Sequence, residues 1–220
     1  MNVERIFFVT QESLSVWTRA GGRLERTAVF AGVEGLQEFE AYVSLSSQLP
    51  SAMLVDVIEE EFTRETIPKL GARDRSSLIA RRAQRKYPRT PFRLSELQGK
   101  TGHDDDEHYV LHSAITNHEL VDSWLQVLLK YSTPLAGIYS VPLMAPAIFR
   151  KLFHNSGATL FVAQHQGAKL RQAFIRKGIL LSARLSHSPT ADEDFANFVV
   201  TEVQRSRRYL ERLRLLSSME

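Results

Sequence analysis

The sequence predicts an α/β protein with mixed β-sheets. Short β-rich runs alternate with amphipathic helical runs, and several strands follow one another through tight turns as antiparallel meanders. The 220 residues are also enough for one large domain or two small lobes with a proper core. The predicted order is ββ(β)αβ(β)αβ, then βαβα, then βββα.

Residues 6–9 and 14–17 are β-rich and flank Thr10-Gln11-Glu12-Ser13, which reads as a hairpin turn. Gly21-Gly22 makes a second turn, and 24–30 supplies a third strand. Over 35–48, Leu36, Phe39, Val43 and Leu45 fall on one helical face, and Leu49-Pro50-Ser51 ends that helix. The apolar, β-branched run 53–58 fits an interior strand. A further strand at 62–67 closes at Pro68. Asp74 or Ser76 can cap a basic helix with a thin stripe of Leu78, Ile79 and Ala83, ended by Tyr87-Pro88. A strand at 92–97 leads into a polar loop expected over 99–106.

From His108 the pattern is more regular. Residues 109–115 read as a strand, and Thr116-Asn117-His118-Glu119 matches a capping box. The helix that follows presents Leu120, Val121, Trp124, Val127 and Leu128 on one face. A strand at 135–141 and a helix across 142–153 come next, with Pro142 tolerated in the first turn. Strands at 158–163, 170–175 and 179–185 then precede a long amphipathic helix from Asp192 to about Leu216, built on Phe195, Phe198, Val199, Val203 and Leu210.

Composition narrows the function classes. With 43% hydrophobic and 24% charged residues the chain is ordinary for a globular protein. No run reaches the roughly 18–20 apolar residues that span a bilayer, and the N-terminus does not read as a secretory signal. The expected location is therefore the cytoplasm. The absence of cysteine excludes a disulfide framework, a thiol nucleophile and a thiolate metal site. Net charge is only +3, but bases crowd into 73–93 and 205–214 while acids gather at 59–61 and 104–107.

Two segments resemble a known family. Tyr109-Val110-Leu111-His112-Ser113-Ala114, the helix through Leu120, Val121 and Leu128, and Pro134-Leu135-Ala136-Gly137-Ile138-Tyr139-Ser140-Val141-Pro142 together look like the central βαβα unit of the actin-like pilus assembly proteins. The three meandering strands after Thr159, with the helix containing Glu202-Val203-Gln204-Arg205-Ser206-Arg207-Arg208-Tyr209, resemble the start of the second actin-like lobe. Thr66-Ile67-Pro68 and the basic helix after it are similar to that family's small inserted subdomain. The relatives implied are the PilM type of type IV pilus protein and the cytoplasmic domain of the GspL type of type II secretion protein.

The resemblance implies an actin-like ATPase (ribonuclease H-like) architecture. It places a first lobe over 1–156, with a small insert at about 62–100, and the start of a second, truncated lobe over 157–220. It also implies a scaffold of an inner-membrane assembly platform, cytoplasmic and at the inner face of that membrane. Its partners would be other pilus or secretion proteins, and an anionic membrane surface is a further candidate. Ser217–Glu220 reads as a linker remnant of a longer protein.

Actin-like ATPases hold phosphates between two hairpins that combine glycine with a magnesium-organising aspartate. Here the first hairpin is Thr10, Gln11, Glu12 and Ser13, with neither residue type. The second turn, Gln164, His165, Gln166 and Gly167, also lacks the acid. No cofactor and no enzymatic activity are therefore expected. Retained ATP binding, with Glu12 in part replacing the aspartate, is the alternative within the same fold.

Other constellations are weaker. Residues 103–108, with His112, form an acidic loop; on one strand His108 and His112 would stand about 13 Å apart, too far to share a metal. There is no Gly-x-Ser-x-Gly, Gly-x-Gly-x-x-Gly or Walker motif, and no sequence spacing pairs a serine with a histidine. Glu59, Glu60 and Glu61 fit a charged strand edge that discourages unwanted pairing. The basic helix over 73–89 offers Arg75, Arg81, Arg82 and Arg85 to a protein partner, or alternatively to nucleic acid. Aromatic residues for base stacking are sparse beside it, with only Tyr87 and Phe92 near.

Overall fold

The computed structural model describes residues 3–46, 48–101, 104–152, 157–165 and 168–216. The contacts divide the chain into two compact units, one of residues 1–59 and 117–144 and one of 60–116 and 145–220.

The first unit is built on a five-stranded mixed sheet in the order β3-β2-β1-β4-β8. β1 (Arg5–Thr10), β2 (Ser13–Ala20) and β3 (Arg23–Ala31) form an antiparallel meander. β4 (Ser51–Asp56) then pairs parallel with β1, and β8 (Leu135–Ser140) pairs parallel with β4. The β2–β3 turn needs Gly21 and Gly22, whose φ values of 56° and 82° belong to the left-handed region. Helix α1 (Gly35–Leu45) returns the chain from β3 to β4, and α3 (Glu119–Lys130) precedes β8. Phe7, Val9, Leu14, Val16, Met53 and Val55 are fully buried along the sheet. Phe39 of α1 meets Phe7, Phe30 and Trp124 edge-on, with ring centroids 5.7, 5.3 and 5.4 Å away.

The second unit carries two antiparallel sheets, ordered β5-β7-β6 and β11-β10-β9. Their strands are β5 (Glu60–Pro68), β6 (Arg93–Thr101), β7 (Asp104–Ile115), β9 (Ala158–Gln164), β10 (Leu170–Arg176) and β11 (Ile179–Leu185). Helix α2 (Ala72–Lys86) covers one face of the first sheet through Tyr87, whose hydroxyl lies 3.2 Å from that of Thr63. The opposite face meets β11, where the Gln98 amide donates to the Leu180 carbonyl. Helix α4 (Val141–Leu152) holds Pro142 in its first turn and Pro146 within it. Helix α5 (Phe195–Arg212) packs Leu210 with Phe174 and Leu181.

Several local expectations give way. Glu119 is the first residue of α3, so it cannot serve as the third-position partner of a capping box. The N-cap is His118, which makes no side-chain cap and instead meets Asp122 at 2.6 Å. Helix α2 begins at Ala72 after Gly71, which leaves Asp74 in the first turn, where it complements the helix dipole, and Ser76 inside the helix. Within the polar stretch 99–106, β6 continues to Thr101 and β7 starts at Asp104, because a backbone ladder tolerates polar side chains; residues 102–103 lie outside the described residues. Helix α5 starts at Phe195, three residues later than Asp192 suggests: Asp194 caps it, accepting from the Asn197 N–H at 3.1 Å. Residues 217–220, read as a linker remnant, lie outside the described residues.

Among the described residues no helix is long and apolar enough to cross a membrane.

Candidate functional site

β1 and β2 are joined by Gln11 and Glu12 alone, so the turn is as short as a hairpin allows. Its side chains bond to one another. Thr10 Oγ1 donates to the Ser13 carbonyl at 3.2 Å and lies 3.2 Å from the Ser13 hydroxyl. Gln11 reaches away from the turn: its amide donates to Glu59 at 2.9 Å, and its carbonyl oxygen accepts from the Ile58 N–H at 3.4 Å. Glu12 is exposed at the tip. Both hydroxyls and the amide are therefore committed to the protein itself.

The second turn is only partly described. Gln164 ends β9 and is a ladder residue paired with Leu170, and the His165 N–H donates to the Lys169 carbonyl at 2.7 Å. Gln166 and Gly167 lie outside the described residues.

The four arginines of α2 have different surroundings. Arg82 is bound to β5, with Nη1 3.2 Å from a Glu65 carboxylate oxygen and 3.1 Å from the Thr66 carbonyl. Arg81 and Arg85 are exposed and Arg75 is half-buried. Arg75 and Arg81 line an open groove between α2 and β6, whose other walls include Ile79, Arg93, Ser95 and Leu97. Arg93 is fixed there by the Gln84 side chain and by the Tyr87 and Thr90 carbonyls.

No family model matches the chain, and no curated protein matches it. Solved structures do. One chain of the PilM-PilN type IV pilus biogenesis complex superposes over 99% of this chain and 79% of its own, at 14% identity and a TM-score of 0.63. The fold is the actin-like one of the PilM-type proteins. A Bacteroides thetaiotaomicron protein of actin-like ATPase fold and unknown function matches at 10% identity over 96% of this chain and 77% of that one, with a TM-score of 0.49. The cytoplasmic domain of EpsL, an inner-membrane component of the Vibrio cholerae type II secretion system, matches at 11% identity over 83% and 71%, with a TM-score of 0.44.

An actin-like frame implies magnesium nucleotide, and the first hairpin does not fit it. Phosphate oxygens need backbone amides reached over glycine, or free hydroxyl donors, together with a hard carboxylate for the metal. This turn has no glycine, and its hydroxyls and amide are already bonded. Among the described residues no group of three or more histidine and carboxylate side chains could hold a metal.

Two features leave little trace in the sequence. Asp56 is buried at the C-terminal end of β4, in register with Thr10 of the parallel neighbour β1. A lone acid closing an apolar run was its only signal. The second is a contact between Ser95 of β6, His112 of β7 and Glu65 of β5, residues too far apart in sequence for any motif to join them.

Proposed function

We propose that this chain is a cytoplasmic scaffold domain, non-catalytic toward nucleotide, of an inner-membrane type IV pilus or type II secretion assembly platform, and that it docks partner proteins. The observation that carries this reading is the Thr10–Ser13 turn, which spends its hydroxyls on itself and its amide on Glu59; in this reading it is the counterpart of the hairpin with which an actin-like ATPase grips phosphate. The similarity to a chain of a PilM-PilN complex favours another assembly protein as the partner. In this reading residues 1–156 belong to the first lobe, with the insert at about 62–100, and 157–220 begin the second.

The docking surface is the exposed side of α2. Arg75, Arg81 and Arg85 present it, and Arg82 holds the helix to β5. The partner is then a protein segment of acidic character. The test is binding of a PilN-type protein to the purified chain and to an Arg75→Glu, Arg81→Glu, Arg85→Glu variant. The reading predicts binding weakened at least tenfold in the variant, with an unchanged melting temperature. Equal binding by both proteins contradicts this surface, and absence of binding by the native chain contradicts a PilN-type partner. Affinity for DNA or RNA that falls steeply with salt favours the nucleic-acid alternative.

A further inference from the structure

Beneath α2, on one face of the β5-β7-β6 sheet, three side chains from three strands stand in line. The Ser95 hydroxyl lies 2.7 Å from His112 Nδ1, and His112 Nε2 lies 2.9 Å from a Glu65 carboxylate oxygen. The other Glu65 oxygen meets Arg82 at 3.2 Å. The ladder fixes this order, because Ser95 and Thr63 flank His112 in register on either side and Glu65 follows two residues beyond Thr63.

We infer that Ser95 is a nucleophilic serine, activated by His112 and Glu65, that takes the acyl group from small anionic esters entering the α2–β6 groove. This goes beyond the docking reading and does not depend on it.

A hydroxyl, an imidazole and a carboxylate in hydrogen-bond sequence are the constellation that makes a serine reactive. Burial opposes the ionised form of Glu65, but the His112 hydrogen bond and Arg82 outweigh it, and at 2.9 Å the carboxylate accepts from Nε2–H. That leaves Nδ1 as the acceptor facing Ser95. Burial and access are divided along the line: His112 is 1% exposed, whereas Ser95 is half-buried and lines the open groove. Arg75, Arg81 and Arg93 line the same groove, which selects an anionic substrate and supplies positive charge to the developing oxyanion.

In the reaction, Ser95 Oγ bonds to the ester carbonyl carbon as its proton passes to Nδ1 of His112. The bond from that carbon to the alcohol oxygen breaks, and the alcohol leaves with the proton from Nδ1. Water then attacks the acyl-serine, gives a proton to Nδ1, and releases the carboxylic acid as Ser95 regains its hydrogen. Glu65 stays ionised throughout and faces the transient imidazolium.

The test uses the full chain with a fluorophosphonate probe, adducts being located by peptide mass spectrometry. It also follows release of nitrophenol from the nitrophenyl esters of succinate and acetate. The expected results are one adduct, on Ser95, lost in Ser95→Ala, and labelling slowed about 100-fold in His112→Gln. Glu65→Gln, at a partly exposed position, is expected to slow labelling too and serves if the buried His112 variant does not fold. The succinyl ester should react faster than the acetyl ester, a preference lost in Arg75→Ala, Arg81→Ala. No adduct on Ser95, or labelling unchanged in a folded Glu65→Gln or His112→Gln protein, overturns the nucleophile. Equal rates with the two esters overturn the anionic substrate class.

Discussion

Glu202 is 2% exposed and takes both of its carboxylate oxygens to arginine, Arg184 of β11 at 2.5 Å and Arg205, one turn along α5, at 2.6 Å. The buried partner is the acid, and both guanidinium groups keep contact with water. Removing a guanidinium therefore costs mainly what it costs to leave the carboxylate short of a donor, about 1–3 kcal/mol. Arg184→Ala is expected to lose more of this than Arg205→Ala, since Arg205 is the more exposed and pays more to be held. Urea denaturation of the two variants measures the difference. Glu65 sets a pH dependence at the same scale. Burial raises the pKa of this carboxyl, but the His112 hydrogen bond and Arg82 outweigh it and hold the value below the ordinary one. The folded state then gains stability above the ordinary carboxylate pKa and loses it as pH falls through the lowered value. Glu65→Gln should flatten this acid limb in melting curves taken between neutral and acid pH, and an unaltered limb would contradict the assignment.

At the scale of elements, α1 is anchored by one residue. Phe39 is fully buried among Phe7, Phe30 and Trp124, and the cavity left by Phe39→Ala is expected to cost about 3–5 kcal/mol in urea denaturation. Gly35 allows a close approach at the start of the same helix: a Cβ there would stand 3.1 Å from the Phe30 carbonyl carbon, so that strand end would have to shift by a few tenths of an ångström. The spacing of Phe39 and Val43 made α1 legible in the sequence, as the apolar run around Met53 did for β4. Helix starts were less legible. The Thr116/Glu119 pattern is a cap only if the helix begins at Asn117, and it begins at Glu119. The strand residues 99–101 and 104–106 were hidden for a related reason: their pairing is carried by backbone groups that polar sequence does not reveal. The hairpin turn Thr10–Ser13 could be found from strand pattern and turn composition. How Gln11 bonds to Glu59 and Ile58 could not, since those groups lie 47 and 48 residues away.

For the whole molecule, the first unit supplies a five-stranded sheet in the order β3-β2-β1-β4-β8 with a parallel β1–β4–β8 half, within an actin-like fold. Such a frame can serve as a nucleotide switch or as a rigid platform. The bonded state of the first hairpin separates these uses: a ligand that binds only the folded protein raises its melting temperature according to ligand concentration over Kd. The measurement is thermal denaturation of the full chain with and without millimolar magnesium-ATP. A scaffold that does not grip phosphate predicts an unchanged melting temperature. A rise of several degrees, abolished by Glu12→Ala, would contradict it and return the chain to the nucleotide-binding members of this fold.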